Sequence, residues 1–462
     1  IEGTINNSSN GTAGTIALSS TNANVTVDNV LADTPAIDNS TSNGQGGVIN
    51  ISSGGSAGSS RVDGTIDNRA SSSGGTVAIT SANNDITIGA ASSAVRGDVL
   101  NSTVVGNGGT VSLVAGDDVS IDGVVDNRSG GNGGTINIVG VDGSVTVSNN
   151  ASNLTFAINN STTSGTGGNI NLSASGAGEN VTVAGSILNR GVINGGIVAI
   201  SSTDNTVSIV DGGSDTANID NSTSTGNGGT VSIAAASTIT VDGFINNSTG
   251  GNGGLVNLIS SDNSVQVLND ADNLFAINNS TAGGSGGIIN ISAGGTGGDV
   301  RVDGSILNTA ANNGGIVQLI SANDDIQILA SGTTNRGNID NSSIFGNGGT
   351  INVVAGDDLT VDGVINNSAL VAGGTINLTG TDGSVIVNNN GNNTTFAINN
   401  STTGGNGGSI TVTSSGDGED ILIGGSVLNR STGTGGTVTL DANGDDLTIQ
   451  KNISGTGWIS TN

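Results

Sequence analysis

The chain has 462 residues, with 81 Gly, one Pro, one Trp and five Phe, and no Cys, Met, His or Tyr. At 33% hydrophobic and 1% aromatic it cannot fill a conventional globular core, so any core is narrow and built from Val, Ile, Leu and Ala. A formal charge of −28, from 37 acidic and 9 basic residues, argues against nucleic acid and anionic membrane as partners.

Without Cys there are no disulfides and no thiolate metal sites. No apolar run is long enough to span a bilayer, and no signal-peptide pattern is present, so membrane insertion is not expected. The chain starts at Ile1 and lacks Met, which reads as a mature product or a window cut from something longer.

The first recurring element is a Gly-Gly pair followed by alternation. Its second glycine stands at positions 14, 47, 75, 109, 134, 168, 196, 229, 254, 287, 315, 349, 374, 408 and 436. The second and fourth residues after the pair are aliphatic, as at Val111 and Leu113, Ile136 and Ile138, or Val438 and Leu440. Polar or small residues lie between them, the period-2 pattern of a strand with one buried face. A second short apolar segment follows, such as Val119–Ile121 or Val145–Val147. The third is a segment such as "VVDN", "AINN" or "SILN", leading into a polar, Gly-rich return.

Four such units make a super-repeat of about 120 residues, and a stricter period of 240 relates Gly14 to Gly254 and Gly109 to Gly349. "AGDDVSIDG" from Ala115 thus matches "AGDDLTVDG" from Ala355. A unit this short cannot bury its aliphatic face alone, whereas stacked units bury one continuous column. The expected fold is therefore an all-β parallel β-solenoid of about fifteen three-strand coils of 25–34 residues, continuous over residues 1–462. With strands about 4.8 Å apart, fifteen coils stack to roughly 70 Å.

One polar position recurs in every coil: Asn7, Asn39, Asn68, Asn101, Asn127, Asn160, Asn189, Asn221, Asn247, Asn279, Asn308, Asn341, Asn367, Asn400 and Asn429. Each lies two residues after an aliphatic one, so alternation turns it inward. The expectation is a structural ladder of stacked amides, each donating to one neighbour and accepting from the other. An unpaired buried amide costs about 1–3 kcal/mol, which requires the ladder to be complete or absent. Many of these residues also open "NST" or "NSS" sequons, but an inward amide is out of reach of glycosylation.

The chemistry-bearing candidates, in chain order, begin with "RGD" at Arg96–Asp98, whose counterpart 240 residues on is "RGN" at Arg336–Asn338; chance explains it in a chain rich in Gly and Asp. Asp117, Asp118, Asp122 and Asp126 then fall within ten residues. Asp122 precedes a turn glycine that recurs at Gly64, Gly123, Gly185, Gly243, Gly304, Gly363 and Gly425, where positive φ is expected. Asp126 aligns with Asn246, Asn366, Leu188 and Leu428, which suits an outward position rather than a catalytic one. Asp117 and Asp118 recur as Asp357 and Asp358 and read as turn punctuation; these four are the only candidates for loosely bound Ca2+.

"GGNGGTINI" at Gly130–Ile138 and "GGNGGSITV" at Gly404–Val412 superficially resemble calcium-binding nonapeptides, but Thr135 and Ser409 stand where the Asp ligand belongs. In the long corners Phe156, Phe275 and Phe396 precede "INNST", placed to fold over a neighbouring corner and cap the core, or else to form a weakly apolar ridge. With no His there is no Ser/His/Asp set, and there is no P-loop and no basic patch interleaved with aromatics.

"GNGGTVSLVAGDDVSIDGVVDNRSGGNGGTINI", from Gly106, resembles the repeats of filamentous-haemagglutinin-like adhesins, secreted bacterial β-helix proteins. The likeness covers essentially the whole chain and lies in repeat style. It implies right-handed coiling and a cell-surface or extracellular fibre in attachment, biofilm or matrix. The expected function is a non-catalytic structural or adhesive stalk, with copies of itself as partners, head to tail or laterally, and glycans or a neighbouring cell surface as further contacts. The alternatives are a carbohydrate-active β-helix enzyme, which would need clustered carboxylates and aromatic platforms, and an ice-binding or polysaccharide-binding solenoid.

Overall fold

A computed structural model describes residues 1–29, 34–90, 96–149, 155–212, 217–269, 275–332, 336–389, 396–450 and 459–460. Every regular element among them is a β-strand, and every pairing between strands is parallel. The strands build three parallel sheets in about 13 turns. The last long strand, Thr437–Asp441, has no buried residue.

One coil shows why the sequence folds this way. After Gly109 the chain forms a long strand, Thr110–Ala115, turns at Gly116–Asp118, and forms a middle strand, Val119–Ile121. It turns again at Asp122–Gly123 into a short strand, Val125–Asp126, and returns through a polar segment to Gly134. Val111, Leu113, Val119, Ile121 and Val125 all point inward and are at most 1% exposed. Each stands in register with an aliphatic residue above and below: Val111 with Val77 and Ile136, Ile121 with Ile88 and Val147, Val125 with Val99 and Ile158. Full burial of such side chains is worth about 1.5–3 kcal/mol each, and β-branched residues suit the pleated, close-packed stack.

The chain divides into two compact units, one of Ile1–Ser224 with Val231–Ala236 and one of Thr225–Thr230 with Ser237–Asn462. In the first, the long strands Thr15–Ser20, Val48–Ser53, Thr76–Ser81, Thr110–Ala115, Thr135–Gly140, Asn169–Ala174 and Ile197–Ser202 lie side by side. In the second, Leu255–Ser260, Ile288–Ala293, Ile316–Ser321, Thr350–Ala355, Thr375–Gly380, Ser409–Ser414 and Thr437–Asp441 do the same.

The sixth residue of most of these strands is small and buried at the corner. It is Ala115, Ala174, Ala293 or Ala355 in some coils and Ser81, Ser321 or Ser414 in others. The serines turn their hydroxyls to backbone carbonyls, Ser81 to Gly58 O at 2.8 Å and Ser321 to Gly298 O at 2.8 Å. Burial of a hydroxyl is thereby matched by a hydrogen bond.

The predicted asparagine ladder is present. Asn68 Nδ2 donates to Asn101 Oδ1 at 2.8 Å, Asn101 to Asn127 at 2.9 Å and Asn127 to Asn160 at 2.9 Å, with all four side chains fully buried. In the second unit the chain of donors runs Asn247, Asn279, Asn308, Asn341, Asn367, Asn400 at 2.8–3.2 Å. The same Nδ2 atoms also reach backbone oxygens, as Asn127 does to Gly109 at 3.1 Å and Thr135 at 3.4 Å.

The ladder is not complete, which corrects the expectation that it had to be. Asn189 Oδ1 and Asn429 Oδ1 are buried without a partner. The residues below them, Asn160 and Asn400, give both amide hydrogens to backbone carbonyls instead: Asn160 to Gly134 and Asn169 at 3.0 and 3.1 Å, Asn400 to Gly374 and Ser409 at 2.9 and 3.1 Å. An amide has two hydrogens and here faces three acceptors, so shorter bonds to two carbonyls leave the third unserved. The two gaps stand 240 residues apart, so the long sequence period extends to hydrogen bonding.

A second correction concerns the corner glycines. Gly64, Gly185 and Gly304 do have positive φ, at 117°, 122° and 126°. Gly123 and Gly363 do not; there the constraint is close approach, since a Cβ on Gly123 would lie 2.4 Å from Asp98 Oδ1 and 2.6 Å from Gly97 C.

Candidate functional site

Asp117, Asp118, Asp357 and Asp358 gather at the corner between long and middle strands. The residue just before a middle strand aims its side chain at the next coil and accepts a backbone N–H there. Asp118 Oδ1 accepts from Ser144 at 2.7 Å, Asp299 from Asp325 at 3.3 Å, Asp325 from Asp358 at 3.1 Å, and Asp358 from Ser384 at 2.8 Å. Asn24 does the same for Ser59 at 2.9 Å. An acceptor oxygen is what the corner needs, and Asp and Asn both supply it.

Because every coil repeats the position, the acids stack. Asp85, Asp117 and Asp118 form one group in the first unit, with a carboxylate oxygen from each within 4.8 Å of the others. In the second unit Asp299, Asp324 and Asp325 form another, and Asp325, Asp357 and Asp358 a third. Of the group Asp299–Asp324–Asp325, the first-unit counterparts of two members are Ser59 and Asn84, so the second unit concentrates more charge. Desolvation, then the charges of Asp118 and Asp85, hold the Asp117 carboxyl above its ordinary range. Asp357 is raised likewise by desolvation and by Asp358 and Asp325, and Asp299 by desolvation and Asp324. All four sequence candidates for a cation thus sit in such groups, together with Asp85, Asp299, Asp324 and Asp325, which no sequence motif singles out. That density of like charge is what a divalent cation neutralises.

Asp122 and Asp126 lie elsewhere. Asp122 Oδ1 stands 3.4 Å from Arg96 Nη2. Asp126 alternates with the inward Val125 and Asn127, yet it is only 4% exposed because it lies beneath Arg128, whose Nε and Nη2 donate to its two oxygens at 2.8 and 2.7 Å. Asp67 and Arg69 repeat this fork at 2.9 and 2.6 Å. The signal available in the sequence was the Asp-Asn-Arg triplet at 67–69 and 126–128. Surface grooves of about 370 Å³ flank Arg128, one lined by Arg190, Thr162 and Ser222 among others, the other by Arg69, Ser102 and Thr103.

The RGD triplet is structural. Asp98 Oδ1 accepts the N–H of Val124 at 2.9 Å, and Asn338 Oδ1 plays the same role for Val364 at 2.9 Å. Burial raises the Asp98 carboxyl above its usual range, opposed by the Val124 N–H and the Arg96 charge. Phe156 is buried, with the Arg128 guanidinium 5.7 Å from its ring centroid. Phe275 meets Phe244 edge to face at 5.3 Å. Phe156 is thus covered rather than part of an exposed ridge, and Phe275 is half-buried against its partner ring. The rest of the corner segments that lead to them, at 150–154, 270–274 and 390–395, lies outside the described residues. Among the described residues the exposed ring is Phe345, which with Ile344 projects from a return segment and is 63% exposed.

Ladder asparagines within sequons such as Asn101, Asn160, Asn221 and Asn279 are 0% exposed and closed to any modifying enzyme in the folded chain, whereas Asn7, which opens the sequon at 7–9, is exposed, contrary to the expectation for the ladder. No protein-family model, curated protein or solved structure matches the chain. Among the described residues no helix is long and apolar enough to cross a membrane.

Proposed function

We propose that this chain is a structural, non-catalytic repeat segment of an extracellular or cell-surface filament or matrix that serves attachment and assembles with copies of itself. The observation that carries this reading is uniformity. Each full coil spends the same inward positions on aliphatic residues and one Asn, and the acceptor oxygens at its turns on fastening one coil to the next. Function then belongs to the stack as a mechanical object, with an acidic surface that favours solubility. Filament-like repeat adhesins offer the parallel from sequence style. Immunogold electron microscopy of intact producing cells tests it: label along surface filaments or matrix is expected, and label only inside sectioned cells contradicts it.

A polysaccharide-binding reading is favoured by the grooves beside Arg128, whose hydroxyl and guanidinium lining suits sugar hydroxyls. Affinity electrophoresis in gels cast with neutral and acidic glycans checks it, with Arg128→Ala expected to abolish any retardation.

A further inference from the structure

The chain carries 37 acidic residues, yet the long strands of the second unit carry almost none of them. Leu255–Ser260, Ile288–Ala293, Ile316–Ser321, Thr350–Ala355, Thr375–Gly380 and Ser409–Ser414 hold no ionisable side chain; only Thr437–Asp441, the last, ends in one. Their outward residues are Asn, Gln, Ser, Thr, Ile, Leu and Val. Four successive coils concentrate the apolar ones. Leu255, Ile288 and Ile316 stand in register at the strand starts, with Ile288 43% and Ile316 41% exposed. At the fifth position lie Ile259, Ile320 and Val354, the last two in register with each other. Between these rows runs a stripe of amides, Asn257, Asn290, Gln318, Asn352 and Asn377, in which Asn290 Nδ2 donates to Asn257 Oδ1 at 2.7 Å.

We infer that this long-strand face of the second unit is a contact surface for the same face of a second copy, packed sheet on sheet with the strands antiparallel. The inference rests on the proposed self-assembly and names the surface that performs it. Charge selects the occupant. Two copies of a chain with a net charge of −28 repel, and an uncharged face is where they approach at least cost.

Charge also selects the direction. The acid groups Asp299–Asp324–Asp325 and Asp325–Asp357–Asp358 border the face where the strands end, whereas the strands start from Gly-rich, uncharged corners such as Asn252–Gly254 and Asn347–Gly349. Antiparallel packing about a twofold axis sets each acid border over a neutral one; parallel packing sets acid over acid. Six strands about 4.8 Å apart and six residues long at about 3.3 Å give roughly 570 Å² of flat face per copy, enough for a weak, concentration-dependent interface. A glycan is the poorer occupant, since no outward residue of these strands is aromatic.

Sedimentation velocity over a wide range of concentration and NaCl tests this, on the native chain and two double variants. Ile288→Lys with Ile316→Lys charges the face; Ile344→Lys with Phe345→Lys charges the exposed corner instead. Circular dichroism confirms that each variant folds. The native chain should form dimers that strengthen with salt, because screening weakens the net repulsion. The face variant should dimerise at least about tenfold more weakly, as loss of central apolar contacts does, and the corner variant should match the native chain. Dimers that persist in the face variant, or vanish in the corner variant, overturn the surface while leaving self-assembly standing. A native chain that stays monomeric at every salt concentration overturns both the surface and lateral assembly, and leaves surface location to be judged by the microscopy. Native monomers that bind a soluble neutral β-glucan, with binding lost in the face variant, assign the face to a glycan and also overturn it.

Discussion

Asn127 shows how much a single side chain does in this fold. Its amide joins Asn101 below, Asn160 above, and the carbonyls of Gly109 and Thr135, with no exposure to solvent. Asn127→Ala leaves Asn101 Nδ2 and Asn160 Oδ1 short of a partner, at about 1–3 kcal/mol for each buried group orphaned. Asn127→Asp keeps the shape but removes two donors and buries a charge, so it should destabilise more at neutral pH than the alanine. Urea melts of the two variants against the native chain check both the loss and the order. This position was legible in the sequence because it recurs in every unit at a fixed offset from an aliphatic residue. The gaps at Asn189 and Asn429 were not, because they arise from tenths of an ångström in competing distances to backbone carbonyls. The Arg128 fork over Asp126 was hidden for a related reason: other coils carry Leu or Asn at that place, so no recurring acid marks it.

At the scale of the element, the fold depends on how closely successive coils approach. A Cβ on Gly134 would lie 2.2 Å from Gly109 O and 2.5 Å from Asn127 Nδ2, so Gly134→Ala must push neighbouring coils apart or displace the ladder. The open corner at Gly178 has nothing within 4 Å of such a Cβ, although its φ of 84° is a separate strain. Leu113→Ala, in the long strand of the same coil as Asn127, should cost about 2–5 kcal/mol through lost burial and the cavity left behind. Thermal melts of Gly134→Ala and Leu113→Ala should both fall well below the native value, whereas Ser112→Ala, outward on the same strand as Leu113, should match it. The strands and their three-sided order followed from the period of two and the regular glycine pairs. The corners followed less well: glycine recurs at the Asp-Gly turn for two reasons, positive φ at Gly64 and crowding by Asp98 at Gly123, and the two look alike in sequence.

At the scale of the whole molecule, charge sets the balance. The raised carboxyls of Asp117, Asp299 and Asp357 bind protons more tightly in the folded chain than in the unfolded one. Their contribution is therefore unfavourable at neutral pH. It is relieved as pH falls through the raised folded values, and the relief is complete below the ordinary carboxylate value of about 3.9. Melting temperature should accordingly rise on mild acidification from pH 7, and Asp357→Asn should raise it at pH 7 while flattening that rise. A native chain that melts lower at each step of mild acidification would contradict the carboxylate grouping.

The proposed mechanical role requires a stack fastened in the same way from coil to coil, by aliphatic columns and buried amides. Hydrogen exchange followed residue by residue by NMR tests it most directly. The long-strand backbone amides and the side-chain amides of Asn68, Asn101, Asn127, Asn308 and Asn341 should be protected to a similar degree throughout each unit, while the Asn83 and Asn323 side chains, which each donate to a carbonyl at the solvent-exposed surface, exchange faster. Ladder amides that exchange as fast as Asn83, or protection confined to a few coils around one cluster, would contradict it.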